Sequence, residues 1–403
     1  MKKNFFWIVF VIYSLQATSQ SIKLSPRPPM GWMSWNLMQE TINEKDVKEM
    51  ADAMIANGMV AAGYQYMFID DCWQGGRDRQ NNIIPDPKKF PSGIKALADY
   101  LHARNMKLGI YSDAAPLTCA GYTGSLHFEQ QDAETFASWG IDFLKYDYCG
   151  APEDVETAKA RYKTMADALR KSGRDIVFSI CEWGPRKPWL WGAEAGGQLW
   201  RTTYDIRDKW KKTSNQVNTD GILDVMDINA ALHDYSGPGK WNDADMLVVG
   251  LYGLKGPSAH SAGKGCTDAE YQSQFSLWAI MNSPLYASCD LRTMNETTKR
   301  ILLNAEVIAL NQDSLGKQAV RVINNATWSV FVKPLANNDY AIAVLNRSDS
   351  LQAATIIFQE LGLTGNYEIR DLWEHTKKGA GKTWKGQVNI HETKVFRLTP
   401  IAH

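Results

Sequence analysis

The chain has 403 residues, which is more than one ordinary hydrophobic core accommodates, so two domains are predicted. Its 44 Lys and Arg residues balance its 44 Asp and Glu residues, and a net charge of zero argues against nucleic acid or an anionic membrane as the main partner. The 15 Trp residues suit a core of large rings, and they also suit platforms for sugar rings.

Residues 1–19 have the pattern of a secretory signal peptide. Lys2 and Lys3 form the charged start, residues 5–15 form an apolar run, and small residues at 17–19 suit cleavage. The run is too short to persist as a transmembrane helix. We therefore expect a periplasmic or secreted protein without membrane contact after cleavage, in a compartment that permits disulfides among the six cysteines.

β-Type runs alternate with segments of helical periodicity between residues 28 and 316. Helices are predicted between the strands, including one whose start has the Thr41-x-x-Glu44 spacing of a capping box and one at 129–139 that Gly140 ends. Eight strand–helix units match a (β/α)8 TIM barrel. The strands are predicted within 28–35 and at 64–69, 107–113, 142–149, 176–181, 199–205, 246–249 and 284–288.

The pattern changes near residues 313–316. The short β-rich runs that follow are separated by turn-forming residues at 337–339 and 379–381, which predicts a small antiparallel β-sandwich. The expected domains are a catalytic barrel at 20–316 and a C-terminal β domain at 317–403. The β-rich runs lie at 328–332, 340–345, 354–358, 367–369 and 394–398.

Charged and aromatic side chains collect at the carboxyl ends of the predicted strands, the face on which TIM barrels place their active sites. Carboxylates accept hydrogen bonds from hydroxyls, cations offset the repulsion between carboxylates, and Trp faces cover the apolar side of a sugar ring. The set therefore predicts a sugar site. Its members are Trp35, Asp70, Asp71, Tyr111, Lys145, Asp147, Glu182, Trp183, Arg201, Asp205 and Asp245.

Lys145 and Asp147 are two residues apart, so on a strand both point to one face. A cation beside a carboxylate favours its ionised form, which a glycoside-cleaving nucleophile requires. The alternative for these two residues is a structural ion pair at a strand end.

Other chemistries have weaker support in the sequence. Asp70, Asp71 and Asp245 are conceivable metal ligands, but no His-x-x-x-His or Cys-x-x-Cys occurs, and Lys145 opposes a divalent ion. No Gly-x-Ser-x-Gly elbow of a serine hydrolase is present. We therefore expect neither a metal nor another cofactor.

The ordered set of motifs resembles the α-galactosidases of glycoside hydrolase family 27. The resemblance extends from about residue 28 to 316 and implies a C-terminal β domain after it. Each motif alone is modest, whereas their common order is specific. The motifs are MGWMSW (30–35), DDCW (70–73), GIYSD (109–113), TCAG (118–121), KYDYC (145–149), CEWG (181–184), RTTYD (201–205), WNDADM (241–246) and NQD (311–313).

The resemblance implies a retaining hydrolysis that releases terminal α-linked galactose from oligosaccharides or glycans. Asp147 matches the nucleophile and Asp205 the acid/base, with their carboxyl groups expected about 5–5.5 Å apart. The remaining matches are to residues that bind the sugar. Asp70, Asp71 and Lys145 match residues that hold galactose hydroxyls, Trp35 and Tyr111 match pocket walls, Glu182, Trp183 and Arg201 match the C2 region, and Asp245 and Met246 match the far wall.

Cysteines and one loop need separate expectations. Cys119 and Cys149 match a disulfide of the family beside the nucleophile, whereas Cys72 and Cys181 lack the partners found in some relatives and are expected to be free. Residues 255–266 look like an insertion that reaches the mouth. Two other activities on the same site stay open: α-N-acetylgalactosaminidase, which the bulk of Glu182 and Trp183 disfavours, and β-L-arabinopyranosidase, which the intact pair of Asp70 and Asp71 disfavours. A galactose-binding module without catalysis is a further alternative, which the presence of both Asp147 and Asp205 disfavours.

Overall fold

The computed structural model of the protein describes residues 23–212, 219–253 and 265–401. The predicted signal peptide and residues 255–264 of the predicted insertion lie outside the described residues. Within the described ranges, no helix is long and apolar enough to cross a bilayer.

Eight parallel strands form the barrel, as the alternation predicts. Their order in the sheet is β7-β6-β5-β4-β3-β2-β1-β8, and Leu247 closes the ring by a parallel bridge to Ala287, with its N–H donating to Tyr286 O at 2.8 Å. The strands are β1 Met30–Met33, β2 Tyr66–Phe68, β3 Lys107–Asp113, β4 Phe143–Asp147, β5 Val177–Cys181, β6 Leu199–Arg201, β7 Trp241–Asp243 and β8 Leu285–Ala287.

Strand seven differs from its prediction. The apolar run at 246–249 is buried, as in a central strand, but β7 itself lies at 241–243 and pairs with β6. Asp245 has a φ of 73°, and this left-handed conformation breaks the strand between the two segments. The predicted strand at 199–205 is also shorter, since Asp205 begins a separate two-residue strand paired with Thr219–Asp220.

Helices surround the barrel, except between β5 and β6, where the described chain forms only a 3₁₀ turn at Pro188–Leu190. The predicted capping box is wrong: Asn43 caps the first helix by accepting from Asp46 N, and Glu44 binds Lys48 and Ser92 N instead. The helices are α1 Glu44–Ala56, α2 Gly93–His102, α3 Glu129–Trp139, α4 Val155–Lys171, α5 Ile222–Ala230, α6 Asp268–Ile280, α7 Glu296–Leu302 and α8 Ala305–Asn311.

The C-terminal segment folds as a β-sandwich, as predicted. A six-stranded antiparallel sheet of order β9-β10-β11-β16-β13-β14 covers the pair β12–β15, and apolar side chains such as Val330, Ile342 and Trp384 form the core between them. Sequence patterns missed β9, β14 and β15. The strands are β9 Val320–Asn324, β10 Trp328–Pro334, β11 Tyr340–Asn346, β12 Gln352–Ile357, β13 Tyr367–Asp371, β14 Thr376–Gly381, β15 Thr383–Val388 and β16 Thr393–Pro400.

A buried lysine lies where the β-sandwich meets the barrel. Lys333 on β10 has no exposed surface, and its ammonium donates to Asn282 Oδ1 and to Lys317 O. Burial lowers the pKa of Lys333 to about 7, although the more distant Asp313 carboxylate opposes this. The interface therefore favours a neutral amine at this position.

Lys333→Met is expected to change the pH dependence of stability. Between the folded pKa of about 7 and the unfolded value of about 10.4, only the unfolded wild type binds this proton, so wild-type stability rises with pH relative to the variant. Across roughly three pH units the difference is on the order of 4 kcal/mol. Calorimetric melting at pH 7 to 10 measures it, with the exposed Lys377→Met as control; a stability difference between Lys333→Met and wild type that does not vary with pH would contradict the shift.

Candidate active site

The predicted site residues lie at the carboxyl-terminal end of the barrel, on or just after seven of its strands. Trp35 follows β1, Tyr111 lies on β3, and most of the others are at or just after strand ends, as the sequence predicts. Parallel strands align these ends at one edge of the sheet, which is why residues far apart in sequence converge here. The others are Asp70 and Asp71 after β2, Lys145 and Asp147 on β4, Glu182 and Trp183 after β5, Arg201 and Asp205 at and after β6, and Asp245 and Met246 after β7.

Aromatic rings form the floor under the mouth. Phe68 packs against Phe143 and Tyr286, with ring centroids 4.8 and 4.7 Å away. A Cβ added at Gly109 would lie 2.2 Å from the Phe68 ring, so only glycine permits this packing. Met246 is 3 % exposed and belongs to the same apolar cluster, against which the half-buried Trp35 packs. The floor therefore separates the polar mouth from the barrel interior.

Lys145 pairs with Asp70 rather than with Asp147. Its Nζ lies 2.7 Å from Asp70 Oδ2, and it lies 5.3 Å from the centre of the Tyr111 ring. Burial favours the neutral amine, but Asp70 and Asp147 hold the pKa of Lys145 well above its usual value. Lys145 and Asp147 therefore belong to one cluster of charges with Asp70, but they do not form a direct ion pair with each other.

Asp71 is fixed by backbone donors. Its Oδ1 accepts from Cys72 N at 2.7 Å and its Oδ2 accepts from Ala120 N at 2.9 Å, while Asp70 Oδ1 accepts from Asp71 N at 2.8 Å. Burial raises the pKa of Asp71, and these backbone bonds counter it only in part. Both carboxylates are thus held rigidly on one turn at the mouth.

Asp147 lies at the end of β4 and is 4 % exposed. Its Oδ1 accepts from Tyr148 N at 3.0 Å. Burial raises the pKa of Asp147 to about 7, together with the carboxylates of Asp205 and Asp70, although Lys145 opposes the rise. The expectation that Lys145 keeps Asp147 ionised therefore holds only above about neutral pH.

Arg201 connects two carboxylates across the mouth. Its Nη2 lies 3.2 Å from Asp205 Oδ1 and 2.8 Å from Asp245 Oδ2. Burial raises the pKa of Asp205, but Arg201, Arg207 and Lys145 outweigh it and hold that pKa below its usual value. Asp245 in turn accepts from Ile206 N at 2.8 Å, so the segment carrying Asp205 is tied to β7.

The disulfide between Cys119 and Cys149 is present, as the resemblance implies, and the other four cysteines are free and buried. Asp113, which sequence reasoning did not select, lies beside it: its Oδ2 accepts from Cys149 N at 3.1 Å. Burial, with the neighbouring Asp147, raises the pKa of Asp113 to about 9. The feature that identifies Asp113 as part of the site is the strand register, in which Asp113 pairs with Asp147 across β3 and β4.

The two acids and two sulfurs at this point resemble a metal site only in composition. One ligand atom of each of Asp113, Cys119, Asp147 and Cys149 lies within 4.8 Å of the others. Both sulfurs are consumed in the disulfide, so neither is a thiolate that a metal could bind. The donor set therefore does not suit a metal ion.

Glu182 faces its own loop and not the mouth. Its side chain is fully buried, Oε1 accepts from Gly184 N at 3.1 Å, and Oε2 accepts from Arg186 N and Nη1 at 3.1 Å each. Burial raises the pKa of Glu182 to about 7. Between these residues, Trp183 is half-buried with a φ of 61°. Glu182 thus shapes the turn that carries Trp183, although it was predicted beside the sugar C2 position.

Family models match both parts of the chain. Residues 27–313 match the family described as alpha galactosidase A, and residues 325–398 match the alpha galactosidase C-terminal beta sandwich domain. The alpha-galactosidase A of Cellvibrio japonicus is 48 % identical over 409 residues, covering 97 % of this chain and 96 % of that protein.

Solved structures agree with this match. The alpha-galactosidase I of Mortierella vinacea superposes with a TM-score of 0.86 at 33 % identity, over 93 % of this chain and 98 % of that one. The alpha-galactosidase of Saccharomyces cerevisiae, solved with raffinose, gives a TM-score of 0.86 at 28 % identity with the same coverages. On its motifs, its two domains and these similarities, the chain belongs to the α-galactosidase family, glycoside hydrolase family 27.

Proposed function

We propose that this protein is a retaining α-galactosidase that releases terminal α-linked D-galactose from oligosaccharides or glycans. The observation that carries the proposal is the pair of carboxylates of Asp147, at the end of β4, and Asp205, just after β6, which interact electrostatically with each other and with the buried cations Lys145 and Arg201. The relative from yeast that was solved with raffinose, itself an α-galactoside, supports the substrate class.

Asp147 acts as the nucleophile in this proposal. Its carboxylate attacks C1 of the galactoside while Asp205 donates a proton to the departing oxygen, which leaves a β-galactosyl ester on Asp147. Asp205, now ionised, removes a proton from water as the water attacks C1. The ester bond breaks, α-galactose leaves, and both side chains regain their starting states. Two inversions give overall retention.

In this proposal the two acids share one proton. Because burial and Asp205 raise the pKa of Asp147 while Arg201 lowers that of Asp205, the proton resides mainly on Asp147 before substrate binds. Catalysis uses the other arrangement, with Asp147 ionised and Asp205 protonated. Both belong to the same singly protonated state of the pair, so the reaction needs only that the proton changes its carboxylate.

The sugar site contains matched donors and acceptors. Asp70 and Asp71 accept from galactose hydroxyls, including the axial O4, and Lys145 donates from the same corner. Tyr111 and Trp35 supply the walls, and Asp245 and Met246 the far side. At C2 the bulk of Trp183 sets the limit, and Arg201, whose guanidinium is held by two carboxylates, is assigned to the same region.

The proposal extends to the organisation and location of the chain. We assign the catalytic barrel to 20–316 and the β domain to 317–403, and the matched ranges that end at 313 and begin at 325 support this division. Export by the signal at 1–19 places the enzyme in the periplasm or outside the cell. Hydrolysis by two carboxylates needs water and no cofactor. Neither nucleic acid nor a membrane is a partner in this proposal.

Asp147→Asn is expected to abolish turnover without unfolding the protein, because an amide cannot form the glycosyl ester. The loss in kcat should be on the order of 10⁴ or more. Added azide should restore turnover and give β-galactosyl azide, which nuclear magnetic resonance identifies. A nearly normal kcat in the variant would show that Asp147 is not the nucleophile. An azide product of α configuration would contradict the proposal that Asp147 attacks from the β face.

The pH profile should report the shared proton. Wild-type kcat/KM for methyl α-galactoside should fall above pH about 7, where the pair loses that proton. In Asp205→Asn, Asp147 loses a like-charged neighbour, so the pKa of Asp147 falls. The reaction of this variant then needs only that Asp147 is ionised to act as the nucleophile. With α-galactosyl fluoride, whose leaving group departs without prior protonation, kcat/KM of this variant should therefore show no alkaline decline.

Glu182→Gln is the matched control for this profile, because the pKa of Glu182 is also raised to about 7. An alkaline decline that persists in Asp205→Asn but disappears in Glu182→Gln would assign the proton to Glu182 and contradict the shared pair.

Substrate preference should follow the fixed carboxylates. A site built to pair with a hydroxyl rejects, by a factor of roughly 10⁴, an analogue whose hydroxyl points elsewhere. The kcat/KM for the α-galactoside should therefore exceed that for the α-glucoside by about this factor. The N-acetylgalactosaminide should be excluded sterically by Trp183. The β-L-arabinopyranoside lacks C6 and should lose less if water replaces the missing hydroxyl. The four nitrophenyl glycosides measure this; a better rate for either of the last two would overturn the C2 or C6 part of the proposal.

A further inference from the structure

The segment that carries Asp205 is held from three sides. Beyond the bond from Ile206 N to Asp245, Arg207 N donates to Asp220 O at 2.8 Å. The carbonyl oxygens of residues 209 and 210 accept from the first amides of α5, those of Ile222 and Leu223, at 3.0 and 2.8 Å. Backbone bonds alone thus fix both ends of the stretch from 205 to 210.

Asp208 anchors the middle of this stretch to α6. It is 2 % exposed and accepts from Tyr271 OH at 2.8 and 2.9 Å, from Gly253 N at 2.7 Å and from Cys266 N at 3.1 Å. Every one of these donors belongs to the chain between β7 and α6 or to α6 itself. The acid/base segment therefore rests on α6.

The end of the stretch contacts the β-sandwich. The Trp210 ring stacks on His391, with centroids 4.6 Å apart and planes at 20°. His391 lies between β15 and β16, its Nδ1 is 2.7 Å from Glu270 Oε1 on α6, and its Nε2 is 3.0 Å from Asp349 Oδ1. Its carbonyl also accepts from Ser273 Oγ at 2.6 Å. One imidazole thus joins the β domain, α6 and the acid/base segment.

We propose that His391 of the β-sandwich is a positioning residue for the acid/base Asp205, acting through its stack on Trp210. The inference rests on the proposed function, in which Asp205 donates the proton to the leaving group. The imidazole is clamped by two carboxylates and one backbone bond, so it presents a fixed flat face to the indole. The C-terminal domain then contributes to catalysis without touching the substrate.

Leaving-group dependence separates positioning from general stability. A misplaced acid slows substrates whose leaving group must be protonated, whereas it spares those whose leaving group departs unaided. His391→Asn removes the ring yet suits the backbone, because the φ of His391 is 55° and Asn tolerates that region. We expect kcat/KM for methyl α-galactoside to fall about tenfold to a hundredfold. The value for α-galactosyl fluoride should change less than about threefold.

His375 supplies a matched control. It lies in the same domain with the same φ of 55°, and its Nδ1 is 2.6 Å from Glu306 Oε1 on α8. His375→Asn should leave the ratio of the two kcat/KM values unchanged. His391→Phe keeps an aromatic face but loses the two carboxylate bonds that fix it, so its ratio should lie between those of His391→Asn and the wild type.

Each outcome decides the inference. An equal loss for both substrates in His391→Asn, or no loss, would overturn it. If that variant fails to fold, Trp210→Leu, which removes the stacked ring, should show the same selective loss for methyl α-galactoside, and an unchanged ratio there would also overturn the inference. Wild-type turnover of the two galactosides tests the proposed function separately, so a wild type that cleaves neither would refute that function and with it the inference.

Discussion

Charge compensation among buried carboxylates is the constraint on which the site depends. Asp70, Asp147 and Asp245 are each less than 5 % exposed, and they converge on a mouth with two buried cations. Moving such ions out of water costs several kcal/mol each, so the arrangement is weak evidence for stability and stronger evidence for a polar ligand. A sugar with several hydroxyls offers hydrogen bonds to such a set of carboxylates and cations.

The two cations shift the pKa values of the two catalytic acids differently, because each cation pairs with different carboxylates. Lys145 is paired with Asp70, and among the described residues no cation forms a direct ion pair with Asp147, so burial raises the pKa of Asp147. Arg201 lies on Asp205 and Asp245 and lowers the pKa of Asp205. Two neighbouring acids thus have opposite shifts, which is the condition under which a pair holds one proton near neutral pH.

Much of this could be predicted from the sequence, because strand runs and the acids that follow them are local patterns. Apolar runs located the strands, and Asp70, Lys145 and Arg201 lie at the mouth, where strand ends place them. What could not be predicted depends on contacts between distant segments. No local signal shows that Lys145 selects Asp70, or that Trp210 meets His391.

Backbone conformation accounts for the remaining differences. Cys72, Trp183 and Asp245 all have positive φ shortly after β2, β5 and β7, where the chain must turn sharply to present a side chain at the mouth. Non-glycine residues adopt this region at a cost, which surrounding contacts must offset, and such strain is typical of functional sites. Asp245 breaks the strand that the apolar run at 246–249 predicts. The turn at Trp183 brings the amides of its own loop to the Glu182 carboxylate.

The pairing register of β3 and β4 explains the raised pKa of Asp113. Because β3 and β4 pair Asp113 with Asp147, two carboxyl groups lie side by side in a region that excludes water. Two adjacent charges in such a place repel strongly, so one acid must retain its proton, and the pKa of about 9 at Asp113 makes it the neutral one. The disulfide beside it adds bulk without charge. Asp147 can then ionise for catalysis because the fold has already kept the neighbouring Asp113 neutral.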